Sequence, residues 1–225
     1  MGAPPPSEFL AGIIFDMDGV LVDSEPFIAE AAIRMFRETY GVELRREQFA
    51  PYIGVGEARF ISGVAAELGV TPVLPRDKDR TYAIYLESIR GRLKELPGAT
   101  EFLRAVKKQG WRIAVATSAD RIKLEGNLRE IGLQTSIFNA IVTGEDVVKK
   151  KPDPEIFLLA SSRLGLKPEK CLVIEDAPNG LRAGRAAGCL CLGVTSTFDA
   201  ATLFEAGAQH VCADLASVPG AALVD

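Results

Sequence analysis

Gly12-Ile13-Ile14-Phe15-Asp16-Met17-Asp18-Gly19-Val20-Leu21-Val22-Asp23-Ser24-Glu25-Pro26 begins with an apolar run and passes straight into two carboxylates two residues apart. A short apolar run bounded by a turn signal predicts a buried strand, here over residues 12–15. Side chains at i and i+2 of a strand point the same way, and a turn at Gly19 presents Asp16 and Asp18 together where the chain leaves the sheet. Paired carboxylates there suit two tasks: holding a hard cation through oxygen, and dividing labour between a nucleophile and an acid/base. A solvated turn would also use Asp and Gly, so the rest of the chain must decide.

Beyond Leu96, β-type runs over 112–116, 140–143, 171–174 and 189–194 alternate with helical spacing over 100–109, 121–131, 154–164 and 179–187. Alternation of this kind predicts an α/β fold, a Rossmann-like parallel sheet covered by helices on both faces. Residues 24–95 instead repeat apolar side chains at helical spacing only, as in Phe27, Ile28, Ala31, Ala32, Met35 and Phe36. The expected organisation is a core of residues 1–23 and 96–225 with a helical cap, 24–95, inserted after the first strand. Such an insert lies above the carboxyl ends of the strands, where open α/β sheets bind ligands.

Each later strand end adds a chemically useful group. Thr117-Ser118 follows one, offering a hydroxyl and amide donors for phosphate oxygens. Lys149-Lys150-Lys151 precedes Pro152-Asp153-Pro154, and Lys151 is the best placed of the three to turn inward as a point charge. Glu175-Asp176 supplies a second acidic pair, and acids gathered at one sheet end call for a cation to offset their repulsion.

With 225 residues, 48% hydrophobic, 25% charged and a net charge of -4, the chain reads as one domain or one domain with an insertion, without the basic stripe a nucleic-acid ligand needs. No apolar run approaches the roughly 20 residues of a membrane span, and residues 1–7 have no leader pattern, so a soluble chain without membrane insertion is expected. Cys171, Cys189, Cys191 and Cys212 lack zinc-site spacing and are expected as buried, reduced thiols.

Asp-x-Asp-Gly, then Thr/Ser after a strand, then Lys-Pro, then Glu-Asp resembles the haloacid dehalogenase (HAD) superfamily of phosphohydrolases. Phe15 to Pro26 and Lys151-Pro152-Asp153-Pro154-Glu155-Ile156-Phe157 are similar to its β-phosphoglucomutase-like branch. The resemblance implies a phosphatase acting on a small phosphorylated metabolite through an aspartyl-phosphate on Asp16, with Asp18 as acid/base. It further implies Mg2+ on the Asp16 carboxylate, the Asp18 carbonyl and Asp176, supported by Glu175. Thr117, the amides of Ser118 and Ala119, and Lys151 would hold the phosphoryl oxygens, and Ser24 marks the start of the cap hinge.

Two departures weigh against the mutase activity of that branch. Ile28 stands where the mutase carries a cap histidine, and Gly54-Val55-Gly56-Glu57 replaces a loop that offers an arginine to a second phosphate. Glu57 is expected to repel a bisphosphate, with Arg59 or Lys78 as compensating cap cations. Tyr52 to Phe60 and Thr117 to Lys123 are also similar to the HAD-like domain of a chloroplast photoprotection protein of plants and algae. There the domain is joined to thioredoxin-like and β-propeller parts and faces the stroma, which implies a stromal location and a regulatory module as the alternative to a dedicated phosphatase.

Overall fold

The computed structural model describes residues 4–6, 9–52 and 56–224. Strand β1, Gly12–Phe15, is buried along its whole length and occupies the middle of the sheet. Next come helices α1 (Glu25–Tyr40), α2 (Glu57–Glu67) and α3 (Leu74–Ile89), with a 3-10 segment, Arg46–Tyr52, between the first two. The chain then alternates: α4 (Ala99–Lys108), β2 (Arg112–Ala116), α5 (Arg121–Glu130), β3 (Ala140–Val142), α6 (Glu155–Leu164), β4 (Cys171–Glu175), α7 (Pro178–Ala187), β5 (Leu190–Val194), α8 (Ala200–Glu205) and β6 (His210–Cys212). Every strand pairing is parallel, in the order β3-β2-β1-β4-β5-β6.

That order decides where a ligand sits. The chain winds from β1 outward to β3, then returns to place β4 on the other flank of β1, so the direction of winding reverses between β1 and β4. A crevice opens at such a reversal, beyond the carboxyl ends of the strands. Phe15 pairs with Ile174 across it, which brings Asp16 beside Glu175 and then Asp176.

Alternation along the strands divides the core in two. Ile13 and Phe15 belong to the cluster shared with α1, α4 and α5, whereas Ile14 faces the cluster built with α6 and α7. Pro26 and Glu25 open α1, where a fixed φ and an acid suit the first turn, and Gly41 closes it at φ 67. Ile28, Ala31, Ala32, Met35 and Phe36 form the buried stripe of α1. Asp77, buried in α3, accepts from the Val73 amide at 2.8 Å, from Arg76 Nε at 2.7 Å and from the Tyr40 hydroxyl, tying α3 to the end of α1.

β6 is a sixth strand where the sequence reading finds five, and His210 lies in it at the sheet edge. All four cysteines are buried and unpaired. Among the described residues no helix is long and apolar enough to cross a membrane.

Candidate active site

Asp16 leaves the end of β1 with its amide still donating to Ile174 of β4 at 2.9 Å. Lys151 Nζ lies 2.6 Å from Asp16 Oδ1 and 2.5 Å from Glu175 Oε1. Of the three consecutive lysines only this one turns inward: Lys149 is exposed, and Lys150 donates to the Gly144 and Val147 carbonyls. Glu175 Oε2 accepts from the amides of Asp176 at 3.0 Å and Ala177 at 2.9 Å, fixing its carboxylate.

Asp16, Glu175 and Asp176 are all buried, and each offers an oxygen within 4.8 Å of the others. Burial drives the Asp16 carboxyl up to about 7; Lys151 pulls it down, and Glu175 and Asp18 push it up further. Asp176 is raised well above the usual carboxylate range by burial, then by Glu175 and Asp16. Burial would depress Lys151, but Asp16 and Glu175 hold it above its ordinary value.

The residues present fit a hard divalent cation. Three buried carboxylates gather at one point with a single lysine that pairs with two of them, Asp16 and Glu175, and Asp16 and Asp176 are raised by burial first and by their acidic neighbours next. The surrounding backbone is shaped to leave them room. A Cβ on Gly19, at φ +77, would sit 2.0 Å from Asp176 Oδ2, and one on Gly180 would sit 1.8 Å from Glu175 Oε1. The Asp18 side chain stands outside this cluster: Ser24 Oγ donates to its Oδ1 and Lys123 Nζ to its Oδ2, the latter at 2.9 Å.

A cavity of about 420 Å³ opens over the cluster. Asp16, Asp18, Thr117, Ser118, Ala119, Lys151, Glu175 and Asp176 line its floor, and residues of the helical layer, including Ile28, Arg46, Phe49, Glu57 and Phe60, line its roof. Ser118 Oγ is the one buried side-chain polar atom among the described residues without a hydrogen-bond partner. A buried, unpaired hydroxyl is costly unless a ligand completes it. The Ala119 amide donates at 3.1 Å to Thr117 Oγ1, so it is spent within the loop rather than facing the cavity free.

A model of haloacid dehalogenase-like hydrolases matches residues 10–188. The chain belongs to that family. Protein SUPPRESSOR OF QUENCHING 1, chloroplastic, of Arabidopsis thaliana is 39% identical over 212 residues, which cover 93% of this hydrolase and 20% of the plant protein. This chain therefore spans about a fifth of that relative's length. The Phosphorylated carbohydrates phosphatase of Thermotoga maritima is 36% identical over 201 residues, 88% of this chain and 92% of the relative. Among solved structures, a mutant CbbY from Rhodobacter sphaeroides in complex with xylulose-(1,5)bisphosphate superposes with a TM-score of 0.85 at 26% identity, covering 96% of this chain and 100% of the other. The sheet of this hydrolase is wholly parallel, so the described residues contain no antiparallel propeller blade; they form one HAD unit.

The helical layer differs from expectation in its charged groups. Glu57 lines the cavity, but its charge is not free to repel an anion: Lys123 Nζ lies 3.2 Å away and the Tyr82 hydroxyl donates to it at 2.9 Å. Arg59 is exposed beside a separate small pocket with Pro51, Tyr52, Ser62 and Gly63 and is not among the residues lining the main cavity. Residues two apart on a helix face in different directions, so Glu57 and Arg59 cannot share one wall. Lys78 also lies off the cavity, paired with Asp120 at 2.6 Å. Ser24 is fully buried at the start of α1. Gly54 and Val55 lie outside the described residues.

Two cations of the lining escape the sequence reading. Lys123, on α5, is buried between Asp18 and Glu57, yet a lysine in the first turn of a helix reads as solvated. Arg46 is the one cation that the helical layer contributes to the cavity lining, and only a dibasic Arg45-Arg46 pair marks it in sequence.

Proposed function

We propose that this chain is a magnesium-dependent phosphatase that hydrolyses a small phosphate monoester through an aspartyl-phosphate on Asp16. The observation that carries the proposal is the convergence, at one strand end, of a buried Asp16, the Lys151 cation, an acidic cluster fit for a hard cation and the unpaired Ser118 hydroxyl.

The Asp16 carboxylate attacks phosphorus as the ester P–O bond breaks, and Asp18 gives its proton to the departing oxygen. Asp18 then takes a proton from water, whose oxygen attacks the aspartyl-phosphate, releasing inorganic phosphate and the Asp16 carboxylate. Lys151, Thr117 and the Ser118 and Ala119 loop hold the equatorial oxygens, since phosphoryl transfer depends mainly on positioning and charge neutralisation. Asp16, Glu175 and Asp176, with the Asp18 carbonyl, would hold magnesium, which supplies positive charge to the transferring group. The helical layer, 24–95, closes the crevice over the 1–23 and 96–225 core and excludes bulk water.

A phosphorylated carbohydrate or a similar small metabolite fits the cavity volume of about 420 Å³ and the activity named for the Thermotoga relative. Hydrolysis ranks ahead of a sugar phosphomutase because Ile28, at the mutase's histidine position, lines the cavity and has no proton to exchange. The 39% identity to the chloroplastic plant protein favours a second reading, a regulatory HAD module of a larger stromal photoprotection protein with thioredoxin-like and propeller parts.

Purified chain incubated with Mg2+ and a panel of phosphate monoesters, alongside Asp16→Asn, tests the proposal by released phosphate. Turnover that the substitution abolishes supports it. Equal background from both proteins rejects the hydrolase and leaves the regulatory module.

A further inference from the structure

Lys123 lines the cavity although it is buried, 3% exposed, and its ammonium is shared between carboxylates of two different layers. Asp18 Oδ2 from the core lies at 2.9 Å and Glu57 Oε1 from α2 at 3.2 Å. The Tyr85 ring, from α3, stands 5.6 Å from the same nitrogen. The rest of the group is held equally firmly: Glu57 Oε2 accepts from Tyr82, Tyr82 accepts from the Asp120 amide at 3.2 Å, and Tyr85 donates to Asn127 on α5 at 2.5 Å. Asp18's other oxygen accepts from Ser24. Both Asp18 oxygens are thus fixed by side-chain donors, of which Ser24 belongs to the helical layer and Lys123 is pinned to that layer by Glu57.

We infer that Lys123 is a positioning residue for the acid/base step, holding the Asp18 carboxyl in place and, through Glu57, making that hold depend on the helical layer being seated over the core. The inference rests on the phosphatase reading of the same site. A lysine kept out of water needs its partners; here the partners are the group that must exchange a proton with the leaving oxygen and an acid on the layer that covers it. Glu57 in this role is a latch rather than a contact for a second phosphate. Lys123 touches neither phosphorus nor the leaving oxygen in this scheme, and acts only through Asp18.

A leaving-group comparison tests the role, because a structural lysine would affect all substrates alike. p-Nitrophenolate departs without a proton, whereas the alkoxide of glycerol phosphate requires one. Lys123→Met is measured with both esters, together with the Lys123→Met/Glu57→Gln double variant, which removes the cation and its partner so that no charge is stranded in the helical layer. In the folded double variant, kcat/KM, which reports formation of the aspartyl-phosphate and so the half-reaction in which the leaving groups differ, is expected to fall roughly 10- to 100-fold for glycerol phosphate, part of what a general acid contributes, and far less for p-nitrophenyl phosphate. In an Asp18→Ala background, Lys123→Met is expected to add no further loss for glycerol phosphate. Equal losses of kcat/KM for the two esters, or additive losses beside Asp18→Ala, would overturn the positioning role while leaving the phosphatase reading standing. Absence of turnover by the unaltered chain overturns both.

Discussion

Replacing Gly180 by alanine reverses the usual sign of a helical glycine substitution. Gly180 is the third residue of α7, and Gly→Ala inside a helix ordinarily stabilises by about 1 kcal/mol. Here the added methyl would lie 1.8 Å from Glu175 Oε1 and 2.0 Å from Glu175 Cδ, against an ordinary contact of about 3.5 Å or more. The carboxylate has to move by more than an ångström, although it is fixed by Lys151 at 2.5 Å and by the Asp176 and Ala177 amides at 3.0 and 2.9 Å. Hydrogen bonds to charged groups contribute about 1.5–3 kcal/mol each. Loss of the two amide bonds therefore costs about 3–6 kcal/mol, and the helical gain leaves a net destabilisation of about 2–5 kcal/mol. In a domain of this size that lowers Tm by at least about 4 °C. Differential scanning calorimetry of Gly180→Ala checks this, with Gly220→Ala as the control, because a Cβ at Gly220 meets nothing within 4 Å. A Gly180→Ala protein melting at or above the unaltered chain would refute the idea that this glycine exists to make room for Glu175.

Three further outcomes follow from the same geometry. Asp16, raised to about 7 by burial, contributes stability that is complete below its unfolded value of 3.8 and declines as pH rises through about 7; Mg2+ competes with that proton, so the Tm increase on adding Mg2+ should be larger at pH 8 than at pH 5, and a pH-independent increase would contradict metal binding at Asp16. Burial pushes the Cys171 and Cys191 thiols up to about 12 and Cys212 up to about 11 from 9.0, so the native chain should resist a thiol reagent at pH 8, react once denatured, and lose stability as pH climbs from 9 toward 11. Arg46→Ala should raise KM for phosphoglycolate, whose carboxylate can meet this cation, more than for glycerol phosphate, and equal KM values in variant and parent for both esters would remove Arg46 from leaving-group recognition.

The parts of this molecule that were legible in sequence are those whose pattern is set by burial on two faces. β1 and β4 lie at the centre of a parallel sheet, so Gly12–Phe15 and Cys171–Glu175 are apolar almost throughout and stand out from the helices around them. Because parallel strands align their carboxyl ends, reading the strands also located Asp16, Thr117 and Glu175 in one crevice. β6 is three residues at the edge, His210–Cys212, only partly buried, and too short to display a period. Lys123 was illegible for a different reason. Its burial depends on Asp18, 105 positions away, and on Glu57 from another layer, and no local pattern encodes such a pairing.

Charge accounting links these particulars to the chemistry. Seven carboxylates line the cavity, from Asp16, Asp18, Glu25, Glu47, Glu57, Glu175 and Asp176, against three cations, Arg46, Lys123 and Lys151. Lys123 is committed to Asp18 and Glu57, and Lys151 to Asp16 and Glu175, which leaves Asp176 without an ion-pair partner among the described residues. A phosphate dianion entering here meets a field of its own sign, and in water-poor surroundings that repulsion is large. Asp16 and Asp176 are both raised, by burial first and then by their acidic neighbours, and protons offset the repulsion only in part. Asp16, Glu175 and Asp176 would hold a divalent cation through their oxygens, and its charge would offset the repulsion between the cluster and a phosphate group. On the proposed reading, the excess of acid that would exclude a phosphate ester from the bare protein would make the site selective for one arriving with a metal ion in place.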